Sequence, residues 1–462
     1  MNEFWSPSVW GGTNVIAVLL VSLLAASLLK KAIKQLRNSL MPTAVLGGLI
    51  LLVISETYKL FSGVSMFETA FMGGDGYTIL EIITYHALAL GFIASTFEGA
   101  NETFSKQRKT EIFNTGVTTV ATYLIQAITG LGITLVAAKF LTNLFPAAGI
   151  LLPFGYGQGT GQAMNYGNIY ETQYGFVGGK SFGLTIAAIG FLVASFGGVF
   201  HLAWLRRKRY LKKADGGTMK MAMEKTTERQ EEIPLFENMD TFTVQVAFIL
   251  GSYVITYAII YLLALLLPGQ KSVLYGFNFL IGVLVTTGVN KLIGNLEQKK
   301  VLKKHYVNDF LMVRIRNFFY DIMVVAGIAA IRISAIGDNV AILLFVCASG
   351  AVATFVYNRL VAKLLFKDYS EEQFIAMYGM LTGTASTGIV LLRELDNEFK
   401  TPVADNMVYQ NIPAIVFGFP LMLIAAKAPE SPEMTFVIIL AFFTVLNIIL
   451  FRSKIFKKSA KK

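Results

Sequence analysis

Long apolar stretches separated by short polar segments dominate the chain. About 20 helical residues cross the roughly 30 Å of bilayer hydrocarbon, and eleven stretches are long and apolar enough to do so. They lie at 13–29, 42–61, 78–97, 113–140, 181–205, 243–267, 273–295, 317–335, 338–366, 408–427 and 432–451. The pattern therefore predicts an all-α polytopic membrane protein with about eleven transmembrane helices.

Two further apolar segments, near 145–167 and 373–393, are interrupted by glycines. Irregular backbone cannot face lipid, because each unpaired peptide group there costs several kcal/mol. Such segments are tolerated only where other parts of the protein surround them. We therefore expect both segments to be re-entrant hairpins buried within the protein.

The order of these elements repeats along the chain. Residues 1–205 contain four spans, a hairpin and a fifth span, and residues 241–427 contain the same set after a polar cytoplasmic linker at 206–240. Because five crossings is an odd number, the second repeat enters the membrane inverted. Residues 428–462 add one more span and a basic tail. Inverted repeats with paired broken segments are typical of secondary transporters that bind substrate near the midplane.

The composition narrows the class of protein. Only 15% of residues are charged, against about 25% in soluble proteins. The single Cys excludes a disulfide framework and a Cys-based zinc or iron–sulfur site, and the small number of His, three, argues against a His-rich metal site. The sequence contains no G-x-x-x-x-G-K-[ST] phosphate loop, no H-E-x-x-H motif and no G-x-S-x-G nucleophile elbow. We therefore expect a protein that is not an enzyme and that draws on an ion gradient rather than ATP.

The distribution of the basic residues behind the net charge of +11 indicates how the chain is oriented in the membrane. If the N-terminus is outside, 33 of the 40 Lys and Arg residues fall in loops on the inner side. Basic residues concentrate in cytoplasmic loops, so the sequence predicts an outer N-terminus and a cytoplasmic C-terminus. The same charge distribution removes the reason to expect nucleic acid as a partner.

The two hairpins supply the candidate binding residues. Freed backbone N–H groups and helix N-termini suit an anion, and hydroxyl and carbonyl oxygens suit Na⁺. The predicted substrate residues are Gly157, Gln158, Gly159, Thr160, Gly161 and Gln162 in the first hairpin, and Gly383, Thr384, Ser386 and Thr387 in the second. The predicted Na⁺ residues are Thr382, Ala385, Ser386 and Asn411.

Several short motifs resemble the sodium/glutamate symporter family of bacterial inner membranes. They are Gly159-Thr160-Gly161, Tyr174-Gly175-Phe176, the run from Pro42 to Leu49, Gly197-Gly198 and Pro413. The resemblance implies an elevator-type transporter that takes up L-glutamate or a related carboxylate with Na⁺ across the bacterial inner membrane. It also implies a homodimer, with the first two spans of each half as its scaffold. The chain departs from the family at both hairpin tips, where a His and a Pro are missing.

Two other functions fit the same pattern. A proton-coupled organic anion carrier would use His86 or Glu81, in the third predicted span, as its proton relay. A membrane-embedded sensor or scaffold without transport would act through the 206–240 segment.

Overall fold

The computed structural model describes residues 3–97, 105–207, 239–302, 306–396 and 399–459. The regular elements in this part of the chain are helices. The expectation of an all-α protein is therefore confirmed. Most of the predicted linker at 206–240, and the end of the basic tail, lie outside the described residues.

The first half of the chain contains α1 (Pro7–Ala32), α2 (Thr43–Ser62), α3 (Gly76–Phe97), α4 (Lys106–Ala137), α5 (Leu151–Tyr174) and α6 (Gly179–Arg207). The second half contains α7 (Thr241–Leu266), α8 (Asn278–Gln298), α9 (Asp309–Ala329), α10 (Val340–Leu365), α11 (Ser370–Thr382), α12 (Ala385–Arg393), α13 (Val403–Tyr409), α14 (Asn411–Ala426) and α15 (Pro432–Leu450).

Short helices and 3-10 turns connect these elements. The short helices are Lys34–Asn38, Lys271–Gly276, Ile333–Ile336 and Arg452–Ser459. The 3-10 turns are Met66–Glu68, Ala70–Met72, Pro146–Ile150, Pro268–Gln270, Gly337–Asn339, Lys367–Tyr369 and Ala428–Glu430.

The number of spans differs from the sequence prediction. Among the described residues, nine helices are long and apolar enough to cross a membrane, and α13 with α14 forms a tenth candidate bent by 49°. The missing span is the eighth, predicted at 317–335. There α9 begins and ends earlier and carries Arg314, Arg316 and Asp321, and ionisable groups are costly in hydrocarbon. The multi-pass character is confirmed, but the count of eleven is not reached.

The chain forms two compact units, each with segments from both sides of the 206–240 linker. The first comprises the described parts of Met1–Ala87, Asn101–Val199 and Asp321–Lys462, and the second those of Leu88–Ala100 and Phe200–Tyr320. The second unit has its own apolar core, in which Ile93, Phe97, Ile249 and Met312 are buried. Both predicted hairpins belong to the first unit, in which every contact described below lies.

The extra C-terminal helix α15 is part of the first unit. Phe436 packs over Gly132 of α4, and the hydroxyl of Tyr357 in α10 donates to Asn447 Oδ1 at 2.9 Å. Just beyond α15, Arg452 donates to Asn114 Oδ1 at 3.1 Å. The added helix thus packs along α4 and bonds to α10.

Candidate functional site

Helix α5 reverses direction at Gly159. The rings of Phe154 and Tyr166 stack with centroids 3.8 Å apart, whereas a straight helix would separate these positions by about 18 Å. Gly159 has φ 81° and ψ −171°, a region of backbone space that is essentially restricted to glycine. Residues 151–158 and 160–174 are therefore two arms of a hairpin, called hairpin 1 here, with its tip at Gly159.

Helices α11 and α12 form a second hairpin, called hairpin 2 here. Gly388 of α12 lies against the backbone carbonyl of Ala376 in α11, in a space that a Cβ would fill. Thr384 caps α12, since its Oγ1 accepts from the Thr387 N–H at 3.1 Å. The tip is the Gly383–Thr384 link between the two arms.

Both tips meet the same stretch of α6. A Cβ on Gly190 would lie 2.5 Å from the Thr382 carbonyl oxygen and 2.8 Å from the Tyr156 ring. Phe191 faces Gly159, and Ala194 faces Gly383. Because Gly190 has no side chain, α6 can contact hairpin 1 and hairpin 2 at one place.

Helices α4 and α10 hold the two hairpins through buried hydrogen bonds. The Tyr156 hydroxyl donates to the Cys347 carbonyl at 2.8 Å, which joins hairpin 1 to α10. Gln126 Nε2 donates to the Leu381 carbonyl at 2.8 Å, which joins α4 to hairpin 2. Each hairpin is therefore joined to one of these two helices by a hydrogen bond from a side chain to a backbone carbonyl.

The predicted residues of hairpin 1 surround its tip. Gly157 and Gln158 end the first arm, and the Gly157 carbonyl accepts from the Tyr123 hydroxyl at 3.2 Å. Thr160 is fully buried, and its hydroxyl donates to the Met323 carbonyl of α9 at 3.3 Å. Gly161 is buried beside it.

Gln162, the last of the predicted hairpin 1 residues, has one side-chain polar atom without a hydrogen-bond partner in the described part of the chain. Its side chain is 1% exposed. Its Oε1 accepts from Asn165 Nδ2 at 3.4 Å, but its Nε2 has no partner in the described part of the chain. A buried amide N–H without an acceptor is costly, and such a group is suited to donate to a ligand.

The predicted substrate residues of hairpin 2 lie at its tip. The hydroxyls of Thr384 and Thr387 are 3.0 Å apart, and Thr387 is buried. Ser386 is exposed in the first turn of α12. The structure thus brings together Gly383, Thr384, Ser386 and Thr387, with Ser386 as the accessible hydroxyl.

The predicted Na⁺ residues are more dispersed. Thr382 donates its hydroxyl proton to the Tyr378 carbonyl at 2.7 Å, while Ala385 and Ser386 are exposed at the start of α12. Asn411 begins α14, is exposed, and accepts from Gln410 Nε2 at 3.5 Å. Three of the four residues share one tip, and the nearest polar partner of Asn411 is its own neighbour in the chain.

A buried polar stripe on α4 was not singled out from the sequence. It consists of Thr115, Thr119, Thr122 and Gln126, which are bonded to Gln373, Gln410, Asn358 and Thr354 respectively. The spacing of four, three and four residues places the stripe on one helical face. That spacing within an otherwise apolar span was the signal available in the sequence.

A cluster of charges lies at the start of α6. Glu81 pairs with Lys180 at 2.7 Å and with Arg332 at 3.4 Å. The Arg332 guanidinium also stacks 4.5 Å from the Tyr77 ring centroid. Glu81, proposed above as a relay, is therefore engaged in two ion pairs.

No protein-family model matches this sequence, and no curated protein matches it. Within the described residues, no three His, Cys, Asp or Glu side chains converge as metal ligands.

Proposed function

We propose that this protein is a secondary active transporter that couples Na⁺ to the uptake of L-glutamate or a related carboxylate. The observation that carries the proposal is the meeting of the two hairpins, close to their tips, at Gly190 of α6. Broken segments that meet inside a membrane protein supply the backbone groups and half-helix ends from which transporters build substrate sites.

The tips favour a small anion as substrate. The second arm of each hairpin begins at the tip, so two helix N-termini with partial positive charge lie near Gly159 and Thr384. At α12, the Thr387 N–H is taken by the Thr384 cap. The side chains there are neutral, with Gln162 Nε2 and the Ser386 hydroxyl as the available donors. Carboxylate recognition by dipoles and neutral donors follows from this set.

Related contacts in the two halves support an inverted repeat. Aligning Gly159 with Gly383 also aligns Tyr156 with Met380 and Tyr123 with Cys347. Tyr156 bonds to Cys347, and Tyr123 packs against the cluster that contains Met380. The same kind of contact, between a hairpin and the fourth helix of the other repeat, is thus made twice.

The repeat and the hairpins together favour an elevator mechanism, in which a hairpin-bearing part moves against a fixed part. We further propose a homodimer in the bacterial inner membrane, with the N-terminus outside and the C-terminus in the cytoplasm. A proton-coupled carrier with Glu81 as its relay is less favoured, because Glu81 is paired with Lys180 and Arg332.

A thermal-shift screen of the purified protein tests the binding part of the proposal. A ligand at 100 times its Kd stabilises the folded state by about 2.7 kcal/mol. We expect L-glutamate or a related dicarboxylate to raise the melting temperature in NaCl and to do so much less in choline chloride. Equal shifts in both salts would contradict Na⁺ coupling, and no shift with any amino acid or dicarboxylate would contradict the substrate class.

A further inference from the structure

Two buried amides at the contact of α4 with α10, those of Gln126 and Asn358, each have an oxygen without an adequate donor. Gln126 is fully buried, and its Oε1 has no hydrogen-bond partner in the described part of the chain. Asn358 is 2% exposed, and the nearest donor to its Oδ1 is the Thr122 hydroxyl at 3.5 Å. Buried acceptors are normally satisfied, so this pair calls for an explanation.

The orientation of both amides is fixed by backbone carbonyls. Gln126 Nε2 donates to the Leu381 carbonyl at 2.8 Å, and Asn358 Nδ2 donates to the Thr354 carbonyl at 3.0 Å. A carbonyl can only accept, so in each amide the nitrogen faces that carbonyl and the oxygen faces away. Flipping either amide would set two acceptors against each other.

The proton of the Thr122 hydroxyl, which approaches Asn358 Oδ1, already has another acceptor. Thr122 has a single hydroxyl proton, and its 2.7 Å bond to the Thr118 carbonyl takes it. At 3.5 Å, the contact with Asn358 Oδ1 is then an approach of two acceptors. Thr122 Oγ1 also accepts from Asn358 Nδ2 at 3.3 Å, which leaves it one lone pair. Gln126 Oε1, Asn358 Oδ1 and this remaining lone pair of Thr122 are therefore without adequate donors at the crossing of α4 and α10.

We propose that these three oxygens form a Na⁺ site at the crossing of α4 and α10. Thr122 and Gln126 are one helical turn apart, about 5.4 Å, and hard cations of this size take oxygen ligands at about 2.3–2.6 Å. The ligands are neutral, which favours a monovalent over a divalent ion. This site differs from the hairpin 2 residues predicted from the sequence and deepens the proposed function, on which its role in transport rests.

The site is placed to link the ion to hairpin 2. A cation on Gln126 Oε1 polarises the amide and strengthens its bond to the Leu381 carbonyl, two residues before the tip glycine Gly383. Ion binding would then order the tip that contacts the substrate. The rest of the α4 stripe, from Thr115 to Thr119, continues the line of oxygens toward the Arg108 end of the helix.

Binding of ²²Na⁺ to the purified full-length protein tests the site without requiring transport. We expect Thr122→Val to raise the half-saturating Na⁺ concentration by about tenfold or more, because it keeps the shape and removes one ligand. Thr122→Ser restores the oxygen and should bind within about threefold of the unchanged protein. Thr129→Val is the matched control on the same helix, since Thr129 donates to the Ile125 carbonyl within α4.

The outcomes separate the site from the function. If Thr122→Val lowers the melting temperature but binds Na⁺ as the unchanged protein does, Thr122 contributes only to the packing of α4 against α10, and the proposal is wrong. Absence of ²²Na⁺ binding by the unchanged protein also overturns it. Should Thr122→Val not fold, Thr354→Val, which removes the hydroxyl bonded to Gln126 Nε2, is expected to weaken Na⁺ binding in its place, and unchanged binding by it would count against the site. Na⁺ binding that depends on Thr122 without any substrate uptake would keep the site and reject the transporter.

Discussion

Replacing Gly159 by Ala separates backbone strain from steric conflict at the tip of hairpin 1. The nearest atom to a Cβ at this position is a ring carbon of Phe191 at 4.0 Å, so the added methyl group has room. The conformation, φ 81° and ψ −171°, is the obstacle, because only glycine adopts it without strain of about 1–3 kcal/mol. We therefore expect Gly159→Ala to lower the free energy of unfolding by about 2 kcal/mol.

The shift in melting temperature follows from the size of the chain. Unfolding entropy is about 2.1 cal/mol/K per residue, or roughly 1 kcal/mol/K here, so a loss of 2 kcal/mol lowers the melting temperature by about 2 °C. Helices that persist in detergent reduce this entropy and enlarge the shift. The measurement is a thermal melt of the purified variant, followed by size-exclusion chromatography.

Gly175 provides the matched control. It also has positive φ and open space around a Cβ, but its ψ of 22° places it in the left-handed region that Asn tolerates. Gly175→Asn should therefore be milder than Gly175→Ala, whereas Gly159→Asn should be as damaging as Gly159→Ala. A Gly159→Ala variant as stable as the unchanged protein, or rescue by Asn at both positions, would refute the conformation assigned to the tip.

Three further predictions concern packing and charge. Gly130→Ala should prevent accumulation of folded protein, because its Cβ would collide with the Gly149 carbonyl. Gly251→Ala, whose Cβ would have no atom within 4 Å, should stabilise the folded protein by up to about 1 kcal/mol. Expression levels and thermal melts of the two variants check both expectations. Glu81→Gln leaves two cations unpaired and should destabilise by about 1–3 kcal/mol, with a smaller difference in high salt. Burial opposes ionisation of Asp396, but three donors in the following loop outweigh it and lower its pKa. A lowered carboxyl pKa stabilises at neutral pH and loses this effect as the pH falls below about 4, so Asp396→Asn should flatten the acid limb of a melting-temperature profile.

The fold was predictable where local patterns decide it. Long apolar runs predicted an all-helical multi-pass chain, and glycines marked the two segments in which the structure reverses at Gly159 and Gly383. The eighth span was misjudged, because charged residues in α9 and the break before Arg332 shift the helix toward its N-terminal side. Hydropathy averages over such charges, and the packing around them decides where the helix ends.

The buried polar stripe on α4 shows why the candidate site was less predictable than the fold. The stripe from Thr115 to Gln126 is readable from its spacing, but its partners lie more than 200 residues away in the chain. Which oxygen lacks a donor depends on those pairings. Gln126 and Asn358 were not among the residues predicted from the sequence, because they come to share Thr354 as a hydrogen-bond partner only when α4 packs against α10.

Uptake of labelled L-glutamate into proteoliposomes tests the central claim most directly. The purified protein is reconstituted, and uptake is followed with an inward Na⁺ gradient, with an inward proton gradient, and with equal salt on both sides. We predict accumulation only with the Na⁺ gradient, competed by related carboxylates and abolished by Gly383→Val, whose side chain would press on Ala194. Accumulation driven by the proton gradient without Na⁺, or no accumulation of any carboxylate under the three conditions, would contradict Na⁺-coupled carboxylate transport.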